Sequence, residues 1–158
     1  MADTKADVKL RILTATDVSL AREMLAMFSI ACDDAAAYMS QPPSDDYVAR
    51  LLGSSNFVAI VAVDGIRVVG GIVAYVLAKL EQERSEIYVY DLAVDAEYRR
   101  RGIATTLIRE VQTVGARLGA KCVYVQAFPE DEEAVSLYAK LGSRQEVVHF
   151  ELEPTESF

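Results

Sequence analysis

The residues of this chain best suited to chemistry lie between Tyr90 and Ala104. They read Tyr90-Asp91-Leu92-Ala93-Val94, then Asp95-Ala96-Glu97-Tyr98, then Arg99-Arg100-Arg101-Gly102-Ile103-Ala104. An extended apolar run leads into a loop with three arginines, and Gly-x-Ala opens a helical pattern. Free backbone N–H groups at a helix start attract anions. Gly102 lacks a Cβ, which frees the turn and lets backbone approach a ligand closely. Ala104 is small enough for the same purpose. Arginine pairs with phosphate in a bidentate fashion. The group suits a phosphate or pyrophosphate. It matches neither the P-loop spacing nor Gly-x-Gly-x-x-Gly. A plainer reading is a basic loop that merely caps a helix.

Other residues could move protons. Tyr138 sits in Ala134-Val135-Ser136-Leu137-Tyr138-Ala139-Lys140-Leu141-Gly142. A phenol with pKa about 10 stays protonated at neutral pH and can donate; the alternative is a tyrosine at the rim of an amphipathic helix. Asp91 could take a proton from an amine, or simply hold an ammonium group. Glu86 and Glu83 are further carboxylate candidates. His149, the only histidine, has the right ordinary pKa for a base, though a lone strand histidine is usually structural.

The net charge is −8, which argues against a general nucleic-acid binder, whose footprint is basic. Acidic residues gather at Asp33-Asp34, Asp45-Asp46, Glu81/Glu83/Glu86, Asp91 and Glu130 to Glu133. Most fall on loops or strand ends, where they could ring a cationic ligand. Each taken alone reads as solvated surface. Cys32 and Cys122 are the only cysteines. They read as buried small hydrophobes, with no disulfide framework, no metal-ligand spacing and no basic partner to activate a thiolate. No apolar run is long enough to span a membrane. The first residues, Met1 to Asp7, lack the apolar stretch of a signal peptide, so a cytoplasmic location is expected.

These residues need a scaffold, and the hydrophobic pattern supplies one. Val8 to Leu13 alternates like a half-buried strand. Thr16 reads as the N-cap of a helix with Leu20, Met24, Leu25, Met27 and Phe28 on its apolar face. Pro42-Pro43 breaks the chain, and Ser44 caps a short helix that closes at Gly53. Phe57 to Val63 and Val68 to Leu77 flank Asp64-Gly65, a hairpin signal. Glu86 to Val94 is a strand, Ile103 to Leu118 a helix and Cys122 to Ala127 a strand. Asp131 to Leu141 is a helix and Val147 to Leu152 a last strand. With no repeat or linker, residues 1–158 read as a single domain. The order predicts an α/β fold with a mixed sheet and one parallel βαβ crossover from strand 86–94 to strand 122–127. The arginine loop then lies beyond the C-terminal end of its strand, where α/β sheets bind ligands.

The Arg99–Ala104 segment resembles motif A of the GNAT acyltransferases, Arg/Gln-x-x-Gly-x-Gly/Ala, through Arg99, Gly102 and Ala104. Residues 134–142 resemble the A-x-x-L-Y-x-K-x-G helix of the same family. The stretch from Glu81 to Val94 is similar to E-Q-x-R-S-E-I-Y-I-Y-D-L-A-V of the gentamicin-type aminoglycoside 3-N-acetyltransferases. Asp46-Tyr47, Phe57-Val58-Ala59, Tyr124-Val125-Gln126-Ala127 and His149 to Pro154 also resemble that family. Phe128 to Glu132 departs from its Tyr-Gly-Asp-Asp-Pro-like loop, and Cys32-Asp33-Asp34 differs in detail.

The resemblance implies a GNAT fold, a mostly antiparallel twisted sheet with helices on both faces and a central βαβ crossover for acetyl-CoA. It implies that Arg99, Arg100, Arg101, Gly102, Ile103, Ala104 and Thr105 hold the pyrophosphate. Leu92, Ala93 and Val94 would pair with the pantetheine arm where strand 86–94 splays from its neighbour. Tyr138 would protonate the departing thiolate. The Leu92 N–H could bind the developing oxyanion. A cationic aminoglycoside would meet Asp34, Asp46, Glu83, Glu86, Asp91, Asp131 and His149. Direct transfer in a ternary complex and a homodimer are expected, with no metal, nucleic acid or membrane involved. A polyamine or protein amine is the alternative acceptor, and a non-catalytic CoA sensor the alternative function.

Overall fold

The computed structural model describes residues 7–156. Its elements are β1 (Val8–Ile12), α1 (Val18–Ala31), α2 (Ala35–Met39), α3 (Asp45–Leu52), β2 (Phe57–Asp64), β3 (Arg67–Lys79) and β4 (Arg84–Val94). A 3-10 turn (Ala96–Tyr98), α4 (Ile103–Arg117), β5 (Ala120–Val125) and α5 (Glu132–Leu141) follow. The chain divides after Gln126 into two compact units.

In the first unit five strands form one sheet in the order β1-β2-β3-β4-β5. The first three pairings are antiparallel, and β4 with β5 is parallel across α4. Gly70 and Gly71 on β3 show how helices pack on both faces. Successive strand residues point to opposite sides. A Cβ on Gly70 would come within 2.9 Å of Ile103 on α4, and one on Gly71 within 2.7 Å of Met24 on α1. On the α1 side, Met24, Met27 and Phe28 pack with Val48 and Leu52 of α3 and with Ala59, Val61 and Val73 of the sheet. On the α4 side, Leu107 and Val111 are fully buried, as are Ile60, Ile72 and Ile87. Burying each such large side chain contributes about 1.5–3 kcal/mol.

Local signals explain most boundaries. Ser44 caps α3, its hydroxyl accepting from Tyr47 N–H at 3.2 Å. Gly65 adopts φ +61° in the β2–β3 hairpin, a conformation that suits glycine. Gly119, at φ +70°, lies between α4 and β5.

Several expectations need correction. Thr16 does not cap α1. Asp17 holds that position and is buried; its carboxylate turns back toward β1, accepting from Thr14 N–H at 2.8 Å and from Arg11 at 2.5 Å. Both cysteines are exposed rather than buried. Cys32 caps the end of α1, and Cys122 lies on β5, the edge strand.

The second unit holds α5, whose N-cap Asp131 accepts from Ala134 N–H at 3.1 Å. Glu132 and Glu133 favour its N-terminus and Lys140 its C-terminus. The strand expected over Val147 to Leu152 does not form. Its alternating pattern is real, but a strand is a pairing, and no ladder partner meets it among the described residues. Phe150 is 78% exposed and Leu152 89%.

Candidate active site

The site is built on the second half of β4. Ile87, Val89 and their neighbours alternate regularly until a β-bulge. Val73 of β3 pairs with Asp91, but the adjacent Ala74 pairs with Val89, so Tyr90 is the extra residue. A bulge shifts alternation by one. Before it, Glu86, Tyr88 and Tyr90 face the α1 side. After it, Asp91 and Ala93 face that side, so Tyr90 and Asp91 share a face although adjacent.

The bulge brings Asp91 under α2. The Tyr38 hydroxyl donates to Asp91 Oδ1 at 2.9 Å. Burial pushes the Asp91 carboxyl above its ordinary range, and the Tyr38 hydrogen bond pulls it partly back. The Tyr38 phenol is pushed well above its usual value, first by burial and then by the Asp91 charge. Tyr38 therefore stays a donor across any working pH. Its ring packs edge-on against Phe28 at 5.8 Å, which fixes its direction. Cys32 adjoins Tyr38, its thiol pushed up mainly by burial. Tyr75 on β3 feels the Asp91 charge as well.

The other side of β4 ends its pairing early. β5 runs alongside only as far as Val89, paired with Val125. Leu92, Ala93 and Val94 continue beyond that register. They lead into a loop that is held in place. Asp95 accepts from Glu97 N–H at 3.0 Å and pairs with Arg67. The Tyr98 hydroxyl donates to Asp64 at 2.7 Å, and Arg101 lies 5.0 Å over the Tyr98 ring.

The loop ends at Gly102, φ +79°, the N-cap of α4. A Cβ there would meet nothing within 4 Å, so the backbone conformation, not crowding, calls for glycine. Arg100, also left-handed at φ +61°, is exposed. Arg99 donates to the carbonyls of Val94 and Ala31, both at 3.3 Å, and Arg101 to that of Glu97 at 3.0 Å. Two of the three arginines thus brace the loop, while Arg100 has no protein partner among the described residues. The first-turn N–H groups at Ile103, Ala104 and Thr105 precede the first intrahelical bond, from Thr106 N–H to the Gly102 carbonyl. An exposed, positively charged loop with open space at Gly102 fits a pyrophosphate.

Of the remaining expected substrate residues, four lie in the first unit and two in the second. Asp34 spends its carboxylate capping α2 through Ala37 N–H at 3.0 Å. Asp46 lies exposed in the first turn of α3. Glu83 is exposed between β3 and β4. Glu86 is paired with Arg84 at 3.6 Å and Lys79 at 3.9 Å. In the second unit, Asp131 caps α5, and exposed His149 lies 3.8 Å from Glu151. Burial raises the Tyr138 phenol, keeping it protonated. Among the described residues no cluster of His, Cys, Asp and Glu is arranged to hold a metal, and no helix is long and apolar enough to cross a membrane.

Sequence reading missed Tyr38 because it missed α2. The signal was present: Asp34 as N-cap, then Ala35-Ala36-Ala37, strong helix formers.

The open parallel crossover with a basic loop at the start of its helix defines a class. The chain belongs to the GNAT acetyltransferase family, whose pattern matches residues 24–143, and is an N-acetyltransferase; that family uses acetyl-CoA. Among solved structures, it is similar to an aminoglycoside acetyltransferase from an uncultured soil metagenomic sample. The two are 45% identical, with 94% of this chain and 99% of that one covered and a TM-score of 0.92. It is also similar to a second aminoglycoside acetyltransferase from an uncultured soil metagenomic sample, solved with sisomicin. That pair is 27% identical, covering 94% and 97%, with a TM-score of 0.86. Among curated proteins no sequence match is found.

Proposed function

We propose that this chain transfers an acetyl group from acetyl-CoA to an amine of an aminoglycoside, the 3-amino group of a gentamicin-like acceptor, and so confers resistance. The carrying observation is the Tyr90 bulge, which sets the Asp91 carboxylate beside the stretch of β4 that pairs with β3 but extends past the register of β5. The two similar aminoglycoside acetyltransferases support the acceptor class. We further propose one working domain, since the family match crosses both units. A homodimer and a cytoplasmic location complete the reading.

Acetyl-CoA supplies an activated acyl group. The N–H groups from Gly102 to Thr105, with Arg100, hold its pyrophosphate, and backbone of Leu92 to Val94 pairs with its arm. Asp91 holds the acceptor ammonium and takes its proton, directly or through a water. The amine lone pair then attacks the thioester carbon, with the Leu92 N–H opposite the developing oxyanion. The C–S bond breaks, the thiolate takes its proton from Tyr138, a role that rests on motif position alone, and the second proton shed by the acetylated nitrogen restores the Tyr138 phenol through solvent. Direct transfer needs no cysteine, and burial above all raises the Cys32 thiol, which disfavours its thiolate.

Thiol release from acetyl-CoA tests this reading, with gentamicin, sisomicin and spermidine in separate reactions. Release with the aminoglycosides, and a product acetylated at the 3-amino group by mass and NMR analysis, is the expected result. Release with spermidine alone moves the enzyme to polyamines. Acetyl-CoA binding without turnover of any amine favours a sensor.

A further inference from the structure

One row of aromatic residues crosses four strands on the face that carries Asp91. Phe57 pairs with Tyr75, Tyr75 with Tyr88 and Tyr88 with Tyr124. Cross-strand partners point to the same face, so the four rings form a single line about 14 Å long at ordinary strand spacing. The bulge adds Tyr90 to it. Ring centroids are 5.4 Å apart for Phe57–Tyr75, 5.9 Å for Tyr75–Tyr90, 5.7 Å for Tyr88–Tyr90 and 4.8 Å for the stacked Tyr88–Tyr124 pair. The row is open. Tyr90 is 64% exposed and Tyr75 36%, although both sit on inner strands of the sheet. Inner-strand residues on a packed face are normally covered. Here α1 and α3 cover Phe57 in part and leave Tyr90 and much of Tyr75 open, with Tyr88 and Tyr124 half-buried between.

We propose that this row is a stacking platform for the rings of a polycationic amino-sugar, and that it selects cyclic amines over flexible ones. The proposal rests on the acceptor class put forward above. Aromatic faces attract cations by their quadrupole and cover the C–H faces of a sugar ring. Asp91, next to Tyr90 on the same face, supplies a carboxylate for one ammonium group. Charge alone would serve a polyamine equally well. A line of rings rewards only a ligand that also has flat faces to lay on it.

Calorimetric titration of the full chain decides this. The ligands are sisomicin, a trimer of glucosamine and spermidine; the variants are Tyr90→Ala and Tyr90→Phe. Tyr90 is exposed, so both variants fold, which circular dichroism verifies. Tyr90→Ala is expected to weaken sisomicin binding roughly threefold to thirtyfold and to change spermidine affinity less than about twofold. Tyr90→Phe keeps the ring and stays near the parent. Unchanged sisomicin affinity in Tyr90→Ala overturns the platform while leaving the aminoglycoside reading intact. Equal weakening of sisomicin and spermidine overturns it too, because the effect would then be electrostatic. Binding of the glucosamine trimer but not sisomicin, lost in Tyr90→Ala, keeps the platform and removes the aminoglycoside. Failure of every cyclic amine to bind overturns both.

Discussion

Replacing Tyr38 with Phe isolates a single hydroxyl. The Phe ring keeps the edge-on contact with Phe28, so the fold loses little. Asp91 loses its donor at 2.9 Å. A hydrogen bond to a charged group contributes about 1.5–3 kcal/mol, and 1.36 kcal/mol is one pKa unit. Asp91 is only half-buried, so water replaces part of the loss, and a rise of about one unit is the working figure. Its direction is set by the charge state that is favoured. Burial already disfavours the carboxylate and Tyr38 offsets this, so removing Tyr38 favours the protonated form further. A protonated Asp91 neither holds an ammonium nor accepts its proton. Activity therefore fails at a higher pH in the variant.

The assay is kcat/KM against pH from 5 to 9 with one acceptor and saturating acetyl-CoA. The acceptor's own titration is common to both proteins and cancels in the comparison. The other groups facing Asp91 are Cys32 at the end of α1 and Tyr75 on β3. Both are raised from their usual values, so neither titrates on the acid limb. The expected result is an acid limb displaced upward by about one pH unit, with the plateau near the parent's. A uniform loss at every pH would mean that Tyr38 acts through the fold. An acid limb that does not move would refute the reasoning.

Four further outcomes are expected. Gly102→Ala places a side chain at φ +79° with open space around it; a strain of about 1–2 kcal/mol predicts weaker acetyl-CoA binding, read as a higher KM with little change in acceptor affinity. Tyr138→Phe is expected to lower kcat while leaving the Kd for CoA unchanged by calorimetry. Asp17→Ala removes the buried bonds to Thr14 and Arg11, a loss of about 1–3 kcal/mol seen as a lower Tm. Because the Thr14 N–H above all holds the Asp17 carboxyl below its ordinary value, that contribution is present above about pH 4 and fades as pH falls further; a parent–variant Tm gap that widened in acid would contradict it. Gly71→Ala drives a methyl group toward Met24 at 2.7 Å, and overpacking of about 1–3 kcal/mol is read in the denaturation midpoint.

Much of the scaffold was legible because it is written in local signals. Ser44, Gly65 and Gly119 mark a cap, a turn and a helix exit through their own conformational preferences. The strand–loop–helix from Tyr90 to Thr105 was legible because its strand, its turn glycine and its helix are contiguous in the chain. The surroundings of Asp91 were not. They come from α1, α2, β3 and β4, and no spacing in the chain joins Tyr38 to Asp91, fifty-three residues apart. Counting carboxylates says nothing of the partners each one has in the fold. Asp34 and Asp131 are spent on helix caps, Asp45 pairs with Arg22, and Glu86 with Lys79 and Arg84. An acidic composition does not say which charges are free.

The bulge at Tyr90 explains why the Asp91 carboxylate lies where it does. In a regular strand Asp91 would point toward α4, into a layer made of Leu107, Val111 and Ile87, where an unpaired charge is strongly disfavoured. One extra residue turns it to the opposite face, beneath Tyr38 and beside exposed rings. The same shift keeps Ala93 on the α1 side, where a small side chain packs against the core. A single backbone irregularity thus separates the two tasks of β4. Its first half is a packed strand. Its second half presents an acid on one face and leaves an edge beyond the reach of β5.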